Sequence, residues 1–597
     1  MLTIRNEAGV SVEFDYEEII FVDFEFVAGP GGRPQVVCVA WHTYTTGATQ
    51  SLWVAELGVL PPFCTDNRVL YVCFVANAEI GCHLALDWPI PENLIDLNAE
   101  FRNLANGHIL PAGKGLIGAL TYYGIPSIGA KEKDAIRNRI IKGFPFTDDE
   151  RKTILEYARG DVNGLLLSEM LPLLARRYKP ALLRGKFVSV LAKMEHRGVP
   201  LDMEIYPQLA DGAVWAYVRD AMVPAIDAEY GVYVRNKHGD WTFSQKRFAG
   251  YLERENIAWP LTPTGELSLK NKTFEDMSRG YAKLENLRQL RHARNKMRKI
   301  KLAVGADGRN RTTLWPFKSK TSRTQPKAAQ WIFSPAVWLR SLIKPGPGMA
   351  VAYVDYSSME FMVGAALSGD QVMIEFYLSG DPYLAFAKRV GAAPEWATKQ
   401  THKELRDRYK TALLAIQYGV SEHTLAAKLN VSVIAAREMI GQHKQLFAVY
   451  WAWVEDWIQH SLDTGIMWTV YDWRCRVGIT EFNSRTIGNF PVQAVSADIL
   501  RLAIVMADAR SLCLLAPVHD ALLIEARADR IDSDVALLQD VMVRASRIVL
   551  GGNLALRSSA ETVKYPHRFT DARGTTIWDQ VLELLAAYRQ HRDRQHG

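Results

Sequence analysis

The sequence has 597 residues, of which 48% are apolar and 23% are charged, with a formal net charge of +6 and a pI of about 8.8. This length excludes a single ordinary core, so two to four domains are expected. The composition is that of a globular protein. The small positive excess suits a polyanionic partner but does not require one.

The cysteines and the N-terminal residues indicate the cellular compartment in which the protein is expected. The six cysteines form no CxxC pair and have no His/Cys set at zinc spacing, so we expect free thiols in a reducing compartment. The N-terminus carries acidic residues early and has no apolar run before a cleavage site, which argues against a signal peptide. No stretch approaches the length of a membrane span, so we expect a cytoplasmic protein without a membrane partner.

The first strong pattern in chain order is the segment 19–27, IIFVDFEFV, which reads as a buried strand. Asp23 and Glu25 alternate with bulky apolar residues and therefore project from one face. Two carboxylates on one side of a buried strand are costly unless a cation pairs them, and a divalent metal is an economical partner. Taken alone, the segment fits an edge strand with one solvated face equally well.

Weaker signals follow this strand. Further strands are predicted at 35–44, 49–54 and 69–76, and helices at 79–87 and 93–104. A later helical stretch carries Tyr157 and Asp161, which are four residues apart. The chain then becomes basic and contains Pro180 and Gly185, which predicts a domain boundary near residue 180.

A basic segment occupies the middle of the chain. Between Lys283 and Lys301 there are eight Lys or Arg residues and one acid, and Leu284, Leu287 and Leu290 mark a packed helix face. A charge run of this kind is usually a solvated surface.

The segment from Arg406 to about Ala427 predicts one long helix. Arg406, Lys410, Leu414 and Tyr418 recur every four residues and form one stripe. The two cations suit phosphates, and the other two side chains suit a sugar and a base, so the stripe fits a long anionic ligand. A solvated basic face with Leu414 in a core is the alternative for the stripe alone.

Two aspartates stand at the ends of apolar runs. Asp355 follows AVAYV and opens the segment DYSSME, which ends at Glu360. Asp520 follows His519 inside LLAPVHDALLIEA. Both runs read as strands, so both aspartates are predicted at strand tips.

These three stretches, in this order and spacing, resemble the family A DNA polymerases, the group of bacterial DNA polymerase I. The family carries DYSxxE, then RxxxKxxxFxxxYG, then HDE. This chain departs at Leu414, where the family has Phe or Tyr, and at Ala521, where the family has a third acid. Other segments match as well, namely MEHRGVPLD (194–202), SRTQP (322–326) and NFPVQ (489–493).

The resemblance implies a role for each residue of the polymerase site. Asp355 and Asp520, with the Tyr356 carbonyl, would bind two Mg²⁺ ions, for which Mn²⁺ could substitute. Arg406 and Lys410 would bind the β- and γ-phosphates of the incoming dNTP, and Glu360 would exclude a ribose 2′-hydroxyl. The other residues that would contact substrate are Leu414, Tyr418, Arg323, Arg485, Gln493 and His519.

The resemblance also implies a 3′–5′ exonuclease, because that family's proofreading domain carries DxE and YxxxD. Asp23, Glu25 and Asp161 would bind two Mg²⁺ ions, one activating water and the other stabilising the leaving oxygen, and Tyr157 would orient the attacking water. The family's Asn and Asp pair after a middle strand is replaced here by Asn77 and Gly81. Glu79 is therefore the predicted substitute ligand, with Asp96 in reserve.

The expected fold is α/β and α+β multidomain, with an RNase H-like exonuclease domain before a right-hand polymerase domain. Residues 1–180 would form the exonuclease, and 181–597 the polymerase, with thumb at about 205–312, palm at about 313–365 and 465–597, and fingers at about 366–464. The basic middle segment would then grip duplex phosphates. Partners would be primer-template DNA, dNTPs and a helicase or primase of the same replicon, with the chain a monomer.

Three alternatives remain at this stage. The exonuclease could be weakened or inactive, because Gly81 stands in place of an acid. A single-subunit RNA polymerase would share both aspartates and the Lys-to-Tyr-Gly helix, but Glu360 disfavours it. A non-catalytic DNA-binding relative is disfavoured by retention of Asp355, Asp520 and Lys410. Since no 5′-nuclease region precedes the exonuclease, we expect a phage or plasmid enzyme of replication or repair, cytoplasmic in its host.

Overall fold

The computed structural model describes residues 2–6, 9–126, 129–162, 164–262, 264–297, 299–334, 336–478, 483–552 and 554–596. Two sheets organise these residues, one of five strands in the N-terminal region and one of four strands in the C-terminal region. Each sheet carries one of the two predicted pairs of carboxylates.

The N-terminal sheet is centred on the strand that carries Asp23 and Glu25. Its region contains β1 (Leu2–Arg5), β2 (Ser11–Phe14), β3 (Glu18–Val27), β4 (Gln35–Thr43), β5 (Ala48–Trp53), β6 (Val69–Cys73) and β7 (Leu94–Asp96). β1 and β2 pair separately, and the other five lie in the order β5-β4-β3-β6-β7. β4 runs antiparallel to β3 and β5, whereas β6 is parallel to β3 and β7. Because β3 is central, residues 19–22 are all buried.

The helices of this region are α1 (Ala76–Ala85), α2 (Leu97–Leu104), α3 (Leu116–Tyr122), α4 (Ala130–Lys142), α5 (Asp148–Asp161) and α6 (Gly164–Met170). Of these, α1, α2, α4 and α5 contact the five-stranded sheet. The strands predicted at 19–27, 35–44, 49–54 and 69–76 are confirmed as β3 to β6. The helix predicted over 93–104 is wrong at its start, because buried Leu94 and Ile95 pair with β6 as an edge strand before α2 begins.

A 20-residue helix, α7 (Tyr178–Arg197), crosses the predicted domain boundary near residue 180. A Cβ built on Gly185 would lie 1.9 Å from the Leu94 carbonyl oxygen, so this glycine permits α7 to touch the backbone of β7. The buried Arg184 guanidinium joins α7 to α2, with Nε 2.6 Å from Glu100 Oε1.

Short elements fill the region between the two sheets. The helices are α8 (Tyr206–Ala210), α9 (Gly212–Asp227), α10 (Gln245–Arg254), α11 (Asn271–Gly280) and α12 (Glu285–Lys296). The strands are β8 (Val199–Pro200), β9 (Tyr233–Arg235), β10 (Trp241–Phe243), β11 (Arg309–Asn310), β12 (Leu314–Trp315) and β13 (Gln325–Pro326).

The basic segment around α12 has the packed face that the sequence predicts. Leu284, Leu287 and Leu290 are each 0% exposed. Several of its cations already pair with acids, which reduces the charge available to a polyanion. These contacts are Lys283 to Glu255 at 2.9 Å, Arg288 to Glu285 at 2.6 Å and Arg294 to Asp220 at 2.8 Å.

The C-terminal sheet is antiparallel throughout and has the order β17-β18-β14-β19. The strands of this region are β14 (Met349–Tyr356), β15 (Ile466–Trp468), β16 (Arg474–Arg476), β17 (Leu514–Val518), β18 (Ala521–Arg527) and β19 (Ser558–Lys564). β15 and β16 form a separate hairpin. Since β14 lies inside the sheet and carries AVAYV, its apolar run is the run expected of a buried strand.

The remaining helices surround this sheet and extend away from it. They are α13 (Met359–Ser368), α14 (Gln371–Leu378), α15 (Pro382–Arg389), α16 (Lys403–Gln417), α17 (Glu422–Leu429), α18 (Val433–Leu446), α19 (Ala448–Thr464), α20 (Ser484–Asp508), α21 (Ile531–Val549) and α22 (Thr575–His596). The single helix predicted from Arg406 to Ala427 is wrong. It is two helices, because Gly419 adopts a φ of +71° after Tyr418 and Ser421 caps α17.

The expectation that no segment approaches the length of a membrane span also needs correction. Helix α20 has 25 residues and is apolar enough to cross a membrane by length and composition. Of its most apolar window, 72% is buried inside the protein. It packs against α7, α13, α19 and α21, and this packing explains its apolar composition.

Candidate functional site

Asp355 and Asp520 meet at one end of the C-terminal sheet, and we call them the hairpin pair. Asp355 is the penultimate residue of β14 and lies opposite Ala521 in the β14–β18 register. His519 and Asp520 form the two-residue turn that joins β17 to β18. The position after Asp520, where the predicted family has a third acid, holds Ala521, which is 0% exposed.

The hairpin pair is electrostatically strained without a cation. Burial, repulsion from Asp520 and a hydrogen bond to it raise the pKa of Asp355 to about 7. Burial also raises the pKa of Asp520, while the bond to Asp355 acts in the opposite direction. Asp355 and Asp520 therefore share a proton at pH values below about 7.

Backbone geometry fixes this end of the sheet. Ser358 and His519 have φ angles of 51° and 59°, in the left-handed region that such residues seldom adopt. The Tyr356 amide donates to the Asp520 carbonyl at 3.3 Å, and its buried hydroxyl donates to the Met542 carbonyl at 2.8 Å. Strained backbone held by such contacts is common at functional sites.

The predicted stripe on α16 lies on the less buried face of that helix. Arg406, Leu414 and Tyr418 are half-buried and Lys410 is exposed, whereas Ala412, Leu413 and Ile416 form the packed face. The Arg406 guanidinium is already paired, with Nε 2.6 Å from Asp381 Oδ2.

Lys410 faces the hairpin pair. Loss of water around its ammonium lowers its pKa, as does neighbouring Arg406, whereas the charges of Asp355 and Asp520 act in the opposite direction. Its Nζ lies 6.0 Å from the centroid of the Tyr383 ring. A lysine on α16 therefore lies within electrostatic range of both carboxyl groups at the end of the sheet.

Glu360 ties α13 to α16 and to the segment before the sheet. Its Oε1 accepts from Arg323 Nη2 at 2.5 Å, and its Oε2 accepts from the Tyr418 hydroxyl. Gln493, on α20, is also hydrogen-bonded to that hydroxyl. Glu360, Tyr418 and Gln493 border one pocket, and Arg485 packs against Gly419.

A second cluster lies on the N-terminal sheet. Asp23 and Glu25 project from β3, and Asp161 lies at the last turn of α5. One carboxylate oxygen from each lies within 4.8 Å of the other two, and we call these three residues the β3 cluster. Tyr157 is on the same helix, one turn before Asp161, and is 9% exposed.

Glu79 and Asp96 differ in their surroundings. Glu79 is 3% exposed, and its Oε2 accepts from the amide of Phe24 at 2.8 Å, between Asp23 and Glu25 in the chain. Asp96 instead caps α2 by accepting from the amides of Asn98 and Ala99. A Cβ on Gly81 would meet Pro34 Cγ at 3.5 Å. These contacts favour Glu79 over Asp96 as the fourth acid beside the β3 cluster.

Burial dominates the electrostatics of this cluster too. It raises the pKa of Asp23 well above its usual range, with further contributions from Glu79 and Glu25. It raises the pKa of Glu25 to about 8, with Asp161 adding to the effect. Grouped carboxylates of this kind are stabilised by a cation.

Both carboxylate sites have the donor chemistry that a hard divalent cation requires. In each site one side-chain oxygen, Oδ2 of Asp23 and Oδ1 of Asp355, is fully buried and has no hydrogen-bond partner among the described residues. Unpartnered buried oxygens are rare and call for an explanation, which a metal ion would supply. The residues present therefore fit divalent cations at both places.

Sequence reasoning did not identify three residues of these sites. Asp381 pairs with Arg406, the Tyr383 ring lies beneath the two cations of the stripe on α16, and Lys133 contacts Asp161. The Asp381–Pro382 step does signal a helix start, so Asp381 was recognisable as a cap but not as a partner of Arg406. Lys133 lies in the run AKEKD, which has no periodic or motif signal.

Comparison with known proteins gives a consistent result. The profile described as DNA polymerase family A matches residues 262–562, half of this chain. A thermostable DNA polymerase I of Thermus thermophilus is 30% identical over 211 residues, which are 33% of this chain and 25% of that protein. DNA polymerase I of Mycobacterium bovis is 25% identical over 383 residues, 59% of this chain and 41% of that protein.

These matches span a quarter to two-fifths of the length of those relatives. Among solved structures, the chain is similar to the POL domain of Pol1 from M. smegmatis in complex with DNA primer-template and dNTP. The TM-score is 0.63 at 20% identity, over 91% of this chain and 94% of that chain. The likeness extends the shared fold beyond the profile match.

The profile match contains every residue predicted for the polymerase site, including the hairpin pair, Glu360 and the stripe on α16. This chain belongs to DNA polymerase family A.

Proposed function

We propose that this chain is a DNA-templated DNA polymerase that extends a primer 3′ end with dNTPs. The observation that carries the proposal is the pairing of Asp355 with Asp520 at one end of the C-terminal sheet, with Lys410 on α16 near enough to interact electrostatically with both. Polymerisation joins the primer 3′-hydroxyl oxygen to the α-phosphorus of the dNTP and releases pyrophosphate. Charge develops on both sides of that phosphorus, and carboxylate-held cations and a lysine are the groups that stabilise it.

The hairpin pair and the Tyr356 carbonyl would hold two Mg²⁺ ions, which when bound lower the pKa of the attacking hydroxyl and neutralise the leaving group. Lys410 would bind the triphosphate, and Arg406 would join it by exchanging Asp381 for a phosphate. Both partners are anions, so a triphosphate of higher charge can compete for the guanidinium.

Glu360 would select the sugar. Its carboxylate is held from two sides by Arg323 and Tyr418, so it presents a fixed wall toward the pocket that it lines with Tyr418 and Gln493. A fixed acid beside C2′ would exclude a 2′-hydroxyl. Arg485, Gln493 and Arg323 would contact template or primer, His519 would contact substrate, and Tyr418 would pack beside the nascent base pair.

We propose further that the β3 cluster removes nucleotides from a primer 3′ end. The support is three acids around one point, with Tyr157 one turn from Asp161 and Glu79 bonded beside them. In this layout residues 1–180 are an RNase H-like proofreading domain and 181–597 form thumb, palm and fingers, with α7 shared between them.

The named relatives support the partners of this proposal. Those proteins are DNA polymerases, and the solved structure contains DNA primer-template and dNTP. We assign the same two partners here. The proposed setting is replication or repair of phage or plasmid DNA in the host cytoplasm, by a monomer acting beside a helicase or primase of that replicon.

A labelled hairpin primer-template tests both activities in one gel. With dNTPs and Mg²⁺ the primer should lengthen, and without dNTPs it should shorten from its 3′ end. Failure to lengthen with either Mg²⁺ or Mn²⁺ would reject the polymerase proposal. Failure to shorten would reject only the exonuclease.

A further inference from the structure

The hairpin of β12 and β13 carries an exposed tryptophan beside an exposed lysine. Leu314 and Trp315 point to opposite faces of this hairpin, and they are 1% and 37% exposed. The Lys318 ammonium nitrogen lies 5.8 Å from the centroid of the Trp315 ring. Exposed aromatic rings beside cations are the groups with which proteins bind unpaired nucleic-acid bases and their phosphates. The pair therefore offers a stacking face and a positive charge to one unpaired nucleotide.

The segment 316–324, which we call the β12–β13 loop, is basic and well anchored. Its sequence, PFKSKTSRT, contains three cations and no acid. The Phe317 ring is 1% exposed and stacks on Trp473, with ring centroids 5.1 Å apart. Lys318 and Lys320 are exposed, and no acid among the described residues forms an ion pair with either. The loop therefore presents two ammonium groups to solvent from an anchored backbone.

One side of this hairpin contacts the exonuclease region. The Lys320 carbonyl accepts from Asn106 Nδ2 at 2.8 Å, just after the end of α2. The Leu314 amide donates to Glu195, which also accepts from Asn77 Nδ2 at 3.4 Å. Asn77 lies in the first turn of α1, the helix that carries the predicted fourth acid of the β3 cluster. The hairpin is therefore linked to the two helices that follow β6 and β7.

The other side of the loop reaches the polymerase site. Arg323 Nη2 lies 2.5 Å from Glu360 Oε1, and Glu360 lines a pocket with Tyr418 and Gln493. Glu360 is also within electrostatic range of Asp520 in the hairpin pair. The β12–β13 loop thus extends from helices of the exonuclease region to a residue beside the polymerase carboxylates.

Further cations continue from this loop toward the β3 cluster. Loss of water lowers the pKa of Lys114, and repulsion from Arg102 and Lys320 lowers it further. Arg102 in turn interacts electrostatically with Asp96, the residue that caps α2. Cations grouped in this way repel one another, so an anion bound among them is stabilised. The row from Arg102 through Lys114 to Lys320 therefore fits a chain of phosphates.

We propose that Trp315, Lys318, Lys320, Lys114 and Arg102 form a binding surface for the unpaired 3′ end of a primer between the two carboxylate sites. We call these five residues the strand surface. The indole stacks on an unpaired base, and the cations contact successive phosphates. Paired bases cannot use the indole in this way, because their faces are covered by neighbouring base pairs. This inference rests on the two proposed activities, and it concerns which primer ends reach the β3 cluster.

The first test measures binding in a chain with Asp23→Ala and Glu25→Ala, so that the probe is not shortened. The probes are hairpin primer-templates with a paired 3′ end, with a short mismatched 3′ end, or with a paired 3′ end and a longer template overhang. A 2-aminopurine at the probe's unpaired end reports stacking by its fluorescence. Trp315→Ala is compared with Trp315→Phe and with Trp396→Ala, a tryptophan of another region that is 69% exposed.

We expect Trp315→Ala to weaken binding of the mismatched end by about tenfold and to leave binding of the paired end unchanged. Trp315→Phe should keep most of the affinity, since it keeps a stacking ring, and Trp396→Ala should match the unaltered background. Lys318→Ala with Lys320→Ala should reduce the slope of log affinity against log salt by about 1.4, because each phosphate contact to a single strand contributes about 0.7. This double variant also decides the inference if Trp315→Ala does not fold.

The second test measures excision with the β3 cluster intact. Trp315→Ala should remove a mismatched primer end about tenfold more slowly, because fewer unpaired ends are held on the strand surface. It should cut a free dinucleotide at the normal rate, since that substrate needs only the β3 cluster. A structural role for Trp315 would slow both reactions equally.

Three results would overturn the inference. They are equal losses of affinity for paired and mismatched ends, a loss confined to the probe with the longer template overhang, and unchanged affinity for every probe. If the unaltered chain shortens neither the primer nor the dinucleotide, the exonuclease proposal fails, while the ratio of the binding constants still decides whether this surface holds an unpaired 3′ end.

Discussion

The two carboxylate sites solve the same electrostatic problem in different ways. The β3 cluster has three acids that converge on one point, a fourth acid bonded to the backbone, and an ammonium in direct contact. The hairpin pair has two acids bonded to each other, and Lys410 on another helix interacts with them electrostatically. The β3 cluster therefore contains a protein cation in direct contact with its acids, whereas the hairpin pair depends on cations that bind later.

The difference matches the two proposed substrates. A single-stranded 3′ end brings one reacting phosphate, so the site that cuts it benefits from a fixed internal cation. A dNTP brings a triphosphate that itself binds cations, so a permanent ammonium between Asp355 and Asp520 would occupy the place of the substrate. The comparison indicates that a carboxylate site needs no permanent cation of its own when its substrate arrives with bound cations.

The largest expected effect comes from the hairpin pair. Asp355→Asn removes a proposed metal ligand and should reduce primer extension by about 10³-fold or more, while excision is spared. Primer-extension rates measure the first effect, and shortening without dNTPs measures the second. Asp529→Asn, an exposed aspartate just after β18, is the control. Near-normal extension by Asp355→Asn would reject the polymerase assignment.

The converse experiment removes two acids of the β3 cluster. Asp23→Ala with Glu25→Ala should reduce excision by about 10²- to 10³-fold and leave extension unchanged, because the two sites lie on different sheets. The same gel reports both. If extension falls as far as excision, the two regions are not separable and the comparison above is wrong.

Glu79 tests how the β3 cluster is completed. Glu79→Ala should reduce excision about as far as Asp23→Ala, roughly 10²-fold, because it removes an acid beside the β3 cluster. Asp96→Ala should lower stability through loss of a helix cap, by about 1 kcal/mol, with excision retained. If Glu79→Ala keeps full excision activity while a folded Asp96→Ala has none, Asp96 and not Glu79 is the fourth acid of the site.

Leu414 gives a smaller effect on the polymerase side. Leucine lacks the hydroxyl with which a tyrosine could replace the missing 3′-hydroxyl of a dideoxynucleotide. A lost hydrogen bond costs about 1–3 kcal/mol, so this chain should discriminate against ddNTPs roughly ten- to a hundredfold. Leu414→Tyr should remove much of that bias.

The measurement is the ratio of ddNTP to dNTP incorporation, with the β3 cluster disabled so that excision cannot mask it. Leu414→Phe is the matched control, since it adds the ring without the hydroxyl. Equal ratios in the unaltered chain and Leu414→Tyr would show that Leu414 does not face the sugar.

The smallest effect is on stability. The folded chain holds the Asp355 proton with a pKa of about 7, above that of an unfolded aspartate near 4, so folding takes up a proton between these values. Metal-free stability should therefore fall as pH rises through this window. Asp355→Asn should raise the calorimetric Tm by about 1–3 °C at pH 8 in EDTA, with no gain at pH 4. A pH-independent difference would contradict the shared proton.

Several features of this protein followed from sequence alone. The alternation of acids and bulky apolar residues around Asp23 and Glu25 predicted β3, because successive side chains of a strand point to opposite faces of the sheet. The spacing of Arg406, Lys410, Leu414 and Tyr418 predicted the open face of α16, because four-residue periodicity fixes a helical stripe. The order of motifs predicted the family, which the profile match confirms.

Tertiary structure decided what local patterns could not. The helix predicted through Gly419 ends before it, because Gly419 adopts a left-handed backbone conformation. Arg485 packs against this glycine. Gly185 lies inside a helix, because α7 must touch the Leu94 carbonyl. Arg406 meets Asp381 and Asp161 meets Lys133 across 25 and 28 residues of sequence. Such partners carry no periodic signal, since their meeting depends on how helices pack and not on the spacing of residues within them.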